Sequence, residues 1–300
     1  MRGLTLAVLV VLGGIAIWLW GFDGSDAVMR FAVNAQRETQ NAMAVSLRAI
    51  KAGQAGALLG LWALCFTYGF VHAAGPGHGK LIIGGYGVGA RVAARRLVGL
   101  AFASSLSQAL TAVLFVYLAL WAFGWGRTQM ADLADKTMAP MSYALIASVG
   151  MWLMLRGLRK AWKLRQPVHD HHHNHAGGIC DSCGHAHGPT PEQAASVSSF
   201  RDGFAVVLSI AIRPCTGAIF LLILTHGLGI MWAGIAGAFI MGLGTASVTV
   251  VVALAAVSLR QGVLVRLATG GAGLRLLPLV EMAVGAVIAI LSLNLVAAAL

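Results

Sequence analysis

The sequence predicts an all-α membrane protein of about seven transmembrane helices, an N-terminal anchor helix followed by a 3+3 inverted repeat. Three observations carry this. Charged residues make up only 10% of the 300-residue chain and apolar ones 58%, where a soluble globular protein carries about 25% charged residues. The apolar residues fall in runs long enough to cross a bilayer, which takes about 20 residues per helix. Two stretches interrupted by proline and glycine, around Pro76 and Pro214, stand in equivalent places of two halves. A soluble fold of this length could not cover its core with so few charges. The net charge of +11 does not mark a nucleic-acid protein, because the basic residues sit in short clusters between apolar runs, the pattern of orientation signals.

The spans follow in order. Leu4–Trp20 is the first; its Trp-Leu-Trp-Gly-Phe-Asp ending lacks the small-x-small pattern of a cleavage site, so an uncleaved anchor is expected. Gly56–His72, Leu97–Trp125 and Met141–Leu158 come next. Pro214–Leu259 has no charged residue and is too long for one helix; Gly-Leu-Gly at 227–229 divides it into spans near 204–226 and 231–258. Leu277–Leu300 is the last, interrupted only by Glu281. With the N-terminus inside, fourteen Lys and Arg fall on the inner segments and six on the outer. That bias places the N-terminus and the loop between spans four and five in the cytoplasm. In the outer segment 22–55, Val28, Phe31, Ala32 and Ala35 recur at helical spacing, which predicts an interfacial helix without assigned chemistry. The chain thus divides into 1–55 (anchor and outer helix), 56–158 (first repeat), 159–202 (cytoplasmic loop) and 203–300 (second repeat).

The repeat rests on matched residues. Pro76 and Gly79 match Pro214 and Gly217 at an offset of 138. Ala101-Phe102 matches Ala238-Phe239 at 137, and Val149-Gly150 matches Val284-Gly285 at 135. Three spans per unit force the halves to cross in opposite senses. Interrupted helices in inverted halves are where secondary transporters bind their cargo.

Four features bear chemistry. At the inner end of span two stands His72-Ala-Ala-Gly-Pro-Gly-His78-Gly-Lys80. Two imidazoles in an apolar span are expensive unless they face a cavity or a ligand, and the Gly-Pro-Gly break lets both point at one centre. Imidazole suits nickel, cobalt, zinc and copper; the alternative is a pair of interfacial histidines bonded to loop carbonyls. Arg213-Pro214-Cys215-Thr216-Gly217 offers a thiol and a hydroxyl at the equivalent depth, and Cys215 is either a soft ligand or a small packing residue. Arg213 has no lone pair to offer a metal; its expected role is to pair with Glu281 or to cap carbonyls of the broken helix. Ser104, Gln108 and Thr111 share a face of span three, as Thr245 and Thr249 do in span six. They line a pathway or act as interhelical glue. Finally, the cytoplasmic loop gathers His169, His171, His172, His173, His175, Cys180, Cys183, His185 and His187 within 19 residues, a metal-binding composition. A purification tag would be uninterrupted and terminal, and this tract is neither.

At these residues the chain resembles the NicO nickel/cobalt transporter family, in particular its efflux branch. The likeness is carried by the 72–80 motif, by Arg-Pro-Cys-x-Gly-Ala at 213–218 and by the His-rich loop, and it covers about residues 56–300. Related importing permeases carry His-x4-Asp-His in the second span; here Gly77 stands in place of that Asp. The resemblance implies a carrier rather than an enzyme, exporting Ni2+ or Co2+ across the bacterial inner membrane. It implies ion coupling, as no ATP-binding signature occurs, with no tightly bound cofactor and no partners beyond metal ions and the bilayer. The sequence specifies no oligomeric state. On it His72, His78, Cys215 and Thr216 form the transport site, Ser104, Gln108, Thr245 and Thr249 line the pathway, and the loop residues are accessory. An importer with the same site, a transmembrane thiol-redox carrier and a metal sensor signalling through its loop are the competing readings. The redox carrier lacks a partner thiol at the position matching Cys215, which is Gly77.

Overall fold

The computed structural model describes residues 21–22, 24–74, 78–89, 92–163, 200–259 and 273–299. The expected first span at Leu4–Trp20 and the His/Cys tract of 169–187 lie outside the described residues, as do Gly75, Pro76 and Gly77. Every regular element among the described residues is helical. In chain order these are α1 (Gly24–Lys51), α2 (Ala57–Ala74), α3 (His78–Gly89), α4 (Ala94–Phe123), α5 (Arg127–Leu133), a π-helical turn (Ala134–Met138), α6 (Ala139–Lys163), α7 (Phe200–Ala211), α8 (Thr216–Gly227), α9 (Met231–Leu259) and α10 (Gly273–Ala299).

By length and composition, four of these stretches can cross a membrane, or five when the bent pair α7/α8 counts as one. The chain is a multi-pass membrane protein. Where the sequence predicted span two, α2 is a shorter apolar helix, followed after three residues by α3. The fourth stretch is longer than expected. It runs through 36 residues from Arg127 to Trp162, because the π turn carries the helix past Pro140 instead of ending it; an extra residue per turn is a usual way to absorb such a disruption. Asp132, Asp135 and Lys136 therefore belong to a helix, where the sequence reading had a loop.

The predicted turn at 227–229 is present, with Gly229 at φ +75, a conformation that costs glycine nothing. A second interruption falls at 212–215, where α7 and α8 meet at 58°. Pro214 explains it: without an amide hydrogen it cannot continue the helix, and it disfavours helical geometry at Arg213.

Packing divides the bundle into two apolar cores. One joins Met43 and Leu47 of α1, Leu61 and Tyr68 of α2, Val116 of α4, Leu221 of α8 and Met241 of α9. The other joins Ile83 and Tyr86 of α3, Leu97 of α4, Ile146 of α6, Val206 of α7, Val257 of α9 and Ile288 of α10. Helices α4 and α9 run through both. Between the cores α4 presents Ser104, Ser105 and Gln108, and α9 presents Thr245 and Thr249, a polar band across an otherwise apolar bundle.

Helix α1 departs from expectation. Its Ala32, Thr39, Met43 and Leu47 are buried, and Ser46 donates to the Ala57 carbonyl at 2.9 Å. Phe31, counted in the predicted apolar stripe, is 70% exposed. The buried face lies about one position round from the stripe expected, and it packs along α2.

Candidate functional site

The site is built where α2 ends and α8 begins. Tyr68 and His72 are one turn apart on α2, so they share a face. Their rings stack at 5.9 Å with 9° between planes. The His72 Nδ1 lies 3.1 Å from Oε1 of Gln36 on α1. In the tautomer with the proton on Nδ1, the Gln36 oxygen accepts this hydrogen bond and the ring's lone pair is on Nε2, the form of imidazole that binds metals. A hydrogen bond of this kind is how proteins commonly orient a ligating imidazole. Tyr68 is held the same way: Gln40, one turn beyond Gln36, donates its amide to the Tyr68 hydroxyl at 3.2 Å.

Tyr68 then reaches the second break. A Cβ on Gly217 would collide with the Tyr68 ring, so glycine at the first turn of α8 is what lets the phenol lie against it. The hydroxyl lies close enough to Thr216 and Cys215 to interact with both. Cys215 caps α8 with extended backbone, φ −71 and ψ 127, and its Sγ lies 3.9 Å from Sδ of Met241 on α9. A ring nitrogen, a phenol, a hydroxyl, a thiol and a thioether thus border one region. The nitrogen and sulfur donors among them suit late first-row transition metals better than magnesium or calcium.

The break itself is capped from α4. Gln108 donates to the Arg213 carbonyl at 2.9 Å, which satisfies an acceptor at the interrupted helix. Thr245 donates to the Gly69 carbonyl of α2 at 3.2 Å. Ser104 bonds the Ala101 carbonyl at 3.1 Å, Thr111 the Ser107 carbonyl at 3.0 Å, and Thr249 the carbonyls of Thr245 and Ala246.

One expectation is overturned: Arg213 does not pair with Glu281. Its guanidinium donates to the Tyr143 hydroxyl at 2.6 Å and to Asp135 at 3.3 Å. Glu281 instead takes Arg156 and, at 2.8 Å, Lys160. The π turn keeps Asp135 on a continuous helix beside Arg213.

Of the residues expected at the site, His72, Cys215 and Thr216 gather around Tyr68. His78 begins α3 just past the first break; its side chain lies outside the described residues, as do the loop's histidines and cysteines. Among the described residues no group of three or more His, Cys, Asp or Glu is placed to hold a metal ion. Gln36, Gln40, Tyr68 and Met241 were missed. A signal existed for three of them: Gln36 and Gln40 sit one turn apart on α1, and Tyr68 precedes His72 by one turn.

Comparison with known proteins agrees with this picture. A protein named "Putative nickel/cobalt efflux system" from Haemophilus influenzae is 32% identical over 193 residues, which cover 60% of each chain. The chain thus spans about three fifths of the length of that curated relative. No solved structure matches. The family model for NicO, described as high-affinity nickel-transport protein, matches residues 58–176 and 163–300. With matched segments that take in both interrupted stretches, the chain belongs to the NicO family of nickel-transport proteins.

Proposed function

We propose that the chain exports divalent nickel or cobalt from the cytoplasm across a bacterial inner membrane, coupled to an ion gradient. The metal passes between the two helix breaks, and His72, His78, Cys215 and Thr216 contact it there. The observation that carries this is Tyr68, which stacks on His72 at one side and lies against the start of α8 at the other. Export is supported by the relative's name and by the basic clusters, which put the His-rich loop on the loading side. In that position residues 169–187 collect metal without forming the pathway.

The architecture we infer is an inverted repeat of residues 56–158 and 203–300 with seven spans in all. Its support comes from contacts between residues that the sequence offsets make equivalent. At an offset of 135, Gly150 corresponds to Gly285 and Met154 to Ala289. A Cβ on Gly150 would meet the Gly285 carbonyl at 2.9 Å and the Ala289 amide at 2.7 Å. A Cβ on Gly285 would meet the Gly150 carbonyl at 2.7 Å and the Met154 amide closer still. At an offset of 137, Ser105 corresponds to Gly242, and a Cβ there would lie 3.2 Å from the Ser105 carbonyl. Such reciprocal self-pairing is what a two-fold axis demands.

The test is cellular nickel and cobalt in cells exposed to either metal, with and without the gene. Expression should lower the retained metal. His72→Ala and His78→Ala should each remove the effect while the protein stays in the membrane. Normal metal resistance in both variants would end the proposal.

A further inference from the structure

One histidine takes no part in the reading so far. His226 lies in the last turn of α8, at the end away from the break, and its Nδ1 is 3.3 Å from Sδ of Met231, which begins α9. A nitrogen and a sulfur this far apart match the bite of one metal ion. Bonds of about 2.0 Å to nitrogen and about 2.3 Å to sulfur span that distance at an angle of about 100°. That lies between square-planar and tetrahedral geometry.

A second observation points to the same place. Two buried side-chain polar atoms of the described residues have no hydrogen-bond partner, the Tyr117 hydroxyl and the Trp62 indole nitrogen. Tyr117 packs edge-on against the His226 ring at 6.2 Å, and Trp62 packs edge-on against Trp232, the residue after Met231, at 6.4 Å. Aromatic hydroxyls near membrane surfaces ordinarily reach headgroups or water; this one is sealed inside, where an unmade hydrogen bond needs an explanation. Tyr117 thus adds an unbonded aromatic hydroxyl to the residues that pack on His226.

We propose that His226 and Met231 form a second, weaker site for the transported divalent metal, with Tyr117 beside it. Read as one span, the bent pair α7/α8 puts this site at the membrane face opposite the His-rich loop. Imidazole and thioether favour nickel, cobalt or copper over magnesium or calcium. Only two donors hold the ion, one of them a weak thioether, and a release station needs that weakness, since an ion must be bound well enough to arrive and loosely enough to leave. The inference rests on the reading of this chain as a metal carrier.

The experiment uses full-length protein with 13C-methyl methionine, reconstituted in lipid and titrated with Co2+, a paramagnetic probe. The Met231 methyl signal is assigned by its disappearance in Met231→Leu. Co2+ should broaden that signal in the natural chain, and about ten times more Co2+ should be needed in His226→Gln, the scale on which lost supporting contacts weaken metal sites. A Met231 signal indifferent to Co2+ overturns the site, since a plain N–H···S hydrogen bond would behave so. Equal broadening with and without His226 overturns it too. Co2+ flux measured on the same vesicles separates the claims. Flux with a silent Met231 refutes only this site, and absent flux refutes the transport reading while the methyl signal still decides the site.

Discussion

Among the described residues two acids, Glu281 and Asp135, make long-range ion pairs, and they differ in what surrounds them. Glu281 of α10 is 5% exposed and takes two cations from α6, Arg156 and Lys160. Arg156 also lies over the Trp152 ring, 4.5 Å from its centroid. Asp135, on the π turn, is 54% exposed and meets Arg213 beside the break. Arg213 is level with the midpoint of α4, since its carbonyl is bonded by Gln108. A carboxylate at that depth persists only against a partner or water. The contrast separates a sealed contact, where α6 and α10 are clamped together, from an exposed one that stands beside the break.

Breaking the buried contact should have the largest effect. Glu281→Ala leaves Arg156 and Lys160 without their acid. Because these cations are 23% and 51% exposed, the loss falls at the low end of the range, about 3–5 kcal/mol, that breaking a fully buried pair costs. Thermal unfolding of the purified protein should show it as a clearly lowered midpoint, and an unchanged midpoint would mean that both cations find water without rearrangement. A smaller effect is expected at the break itself. Gln108→Leu removes the hydrogen bond to the Arg213 carbonyl, a loss of about 0.5–1.5 kcal/mol. Metal flux should fall with it, because the geometry of Cys215 depends on that cap; full flux in a destabilised protein would separate the cap from the pathway. The smallest effect belongs to Asp135→Asn, under about 1 kcal/mol, as for exposed ion pairs. Thiol labelling sharpens the comparison: a membrane-impermeant reagent should modify Asp135→Cys quickly and Glu281→Cys slowly, and equal rates would mean that the exposure of Asp135 is not to water.

Much of this arrangement is legible in the sequence because proline and glycine act locally. Pro214 cannot donate a helical hydrogen bond wherever it stands, so the break at 212–215 follows from the residue alone. The turn at 227–229 follows likewise. The partners of charged residues are another matter. Asp132, Asp135 and Lys136 lower the local hydropathy and read as a loop, but one π turn keeps the helix intact and carries Asp135 to Arg213. Helix α1 misleads for a related reason. Its mixed composition suits a membrane surface, and nothing local reveals that Gln36 and Gln40 reach across to His72 and Tyr68. Such polar contacts depend on which helix packs alongside, which side-chain periodicity does not encode.

The bend between α7 and α8 also gives the crossing an electrical polarity. The amide groups opening α8 have no side-chain cap from Cys215, so this end of the helix carries partial positive charge. The end of α7 faces it with carbonyls, among them that of Ile210, to which Pro214 has no hydrogen to give. A dication entering the break therefore meets an attractive wall and a repulsive one a few ångströms apart. On the proposed function the α7 carbonyls attract such an ion, and the Cys215 sulfur offsets the repulsion at the α8 end. Passage past the break is then easiest for an ion that keeps part of its charge neutralised by a donor such as the Cys215 sulfur as it moves.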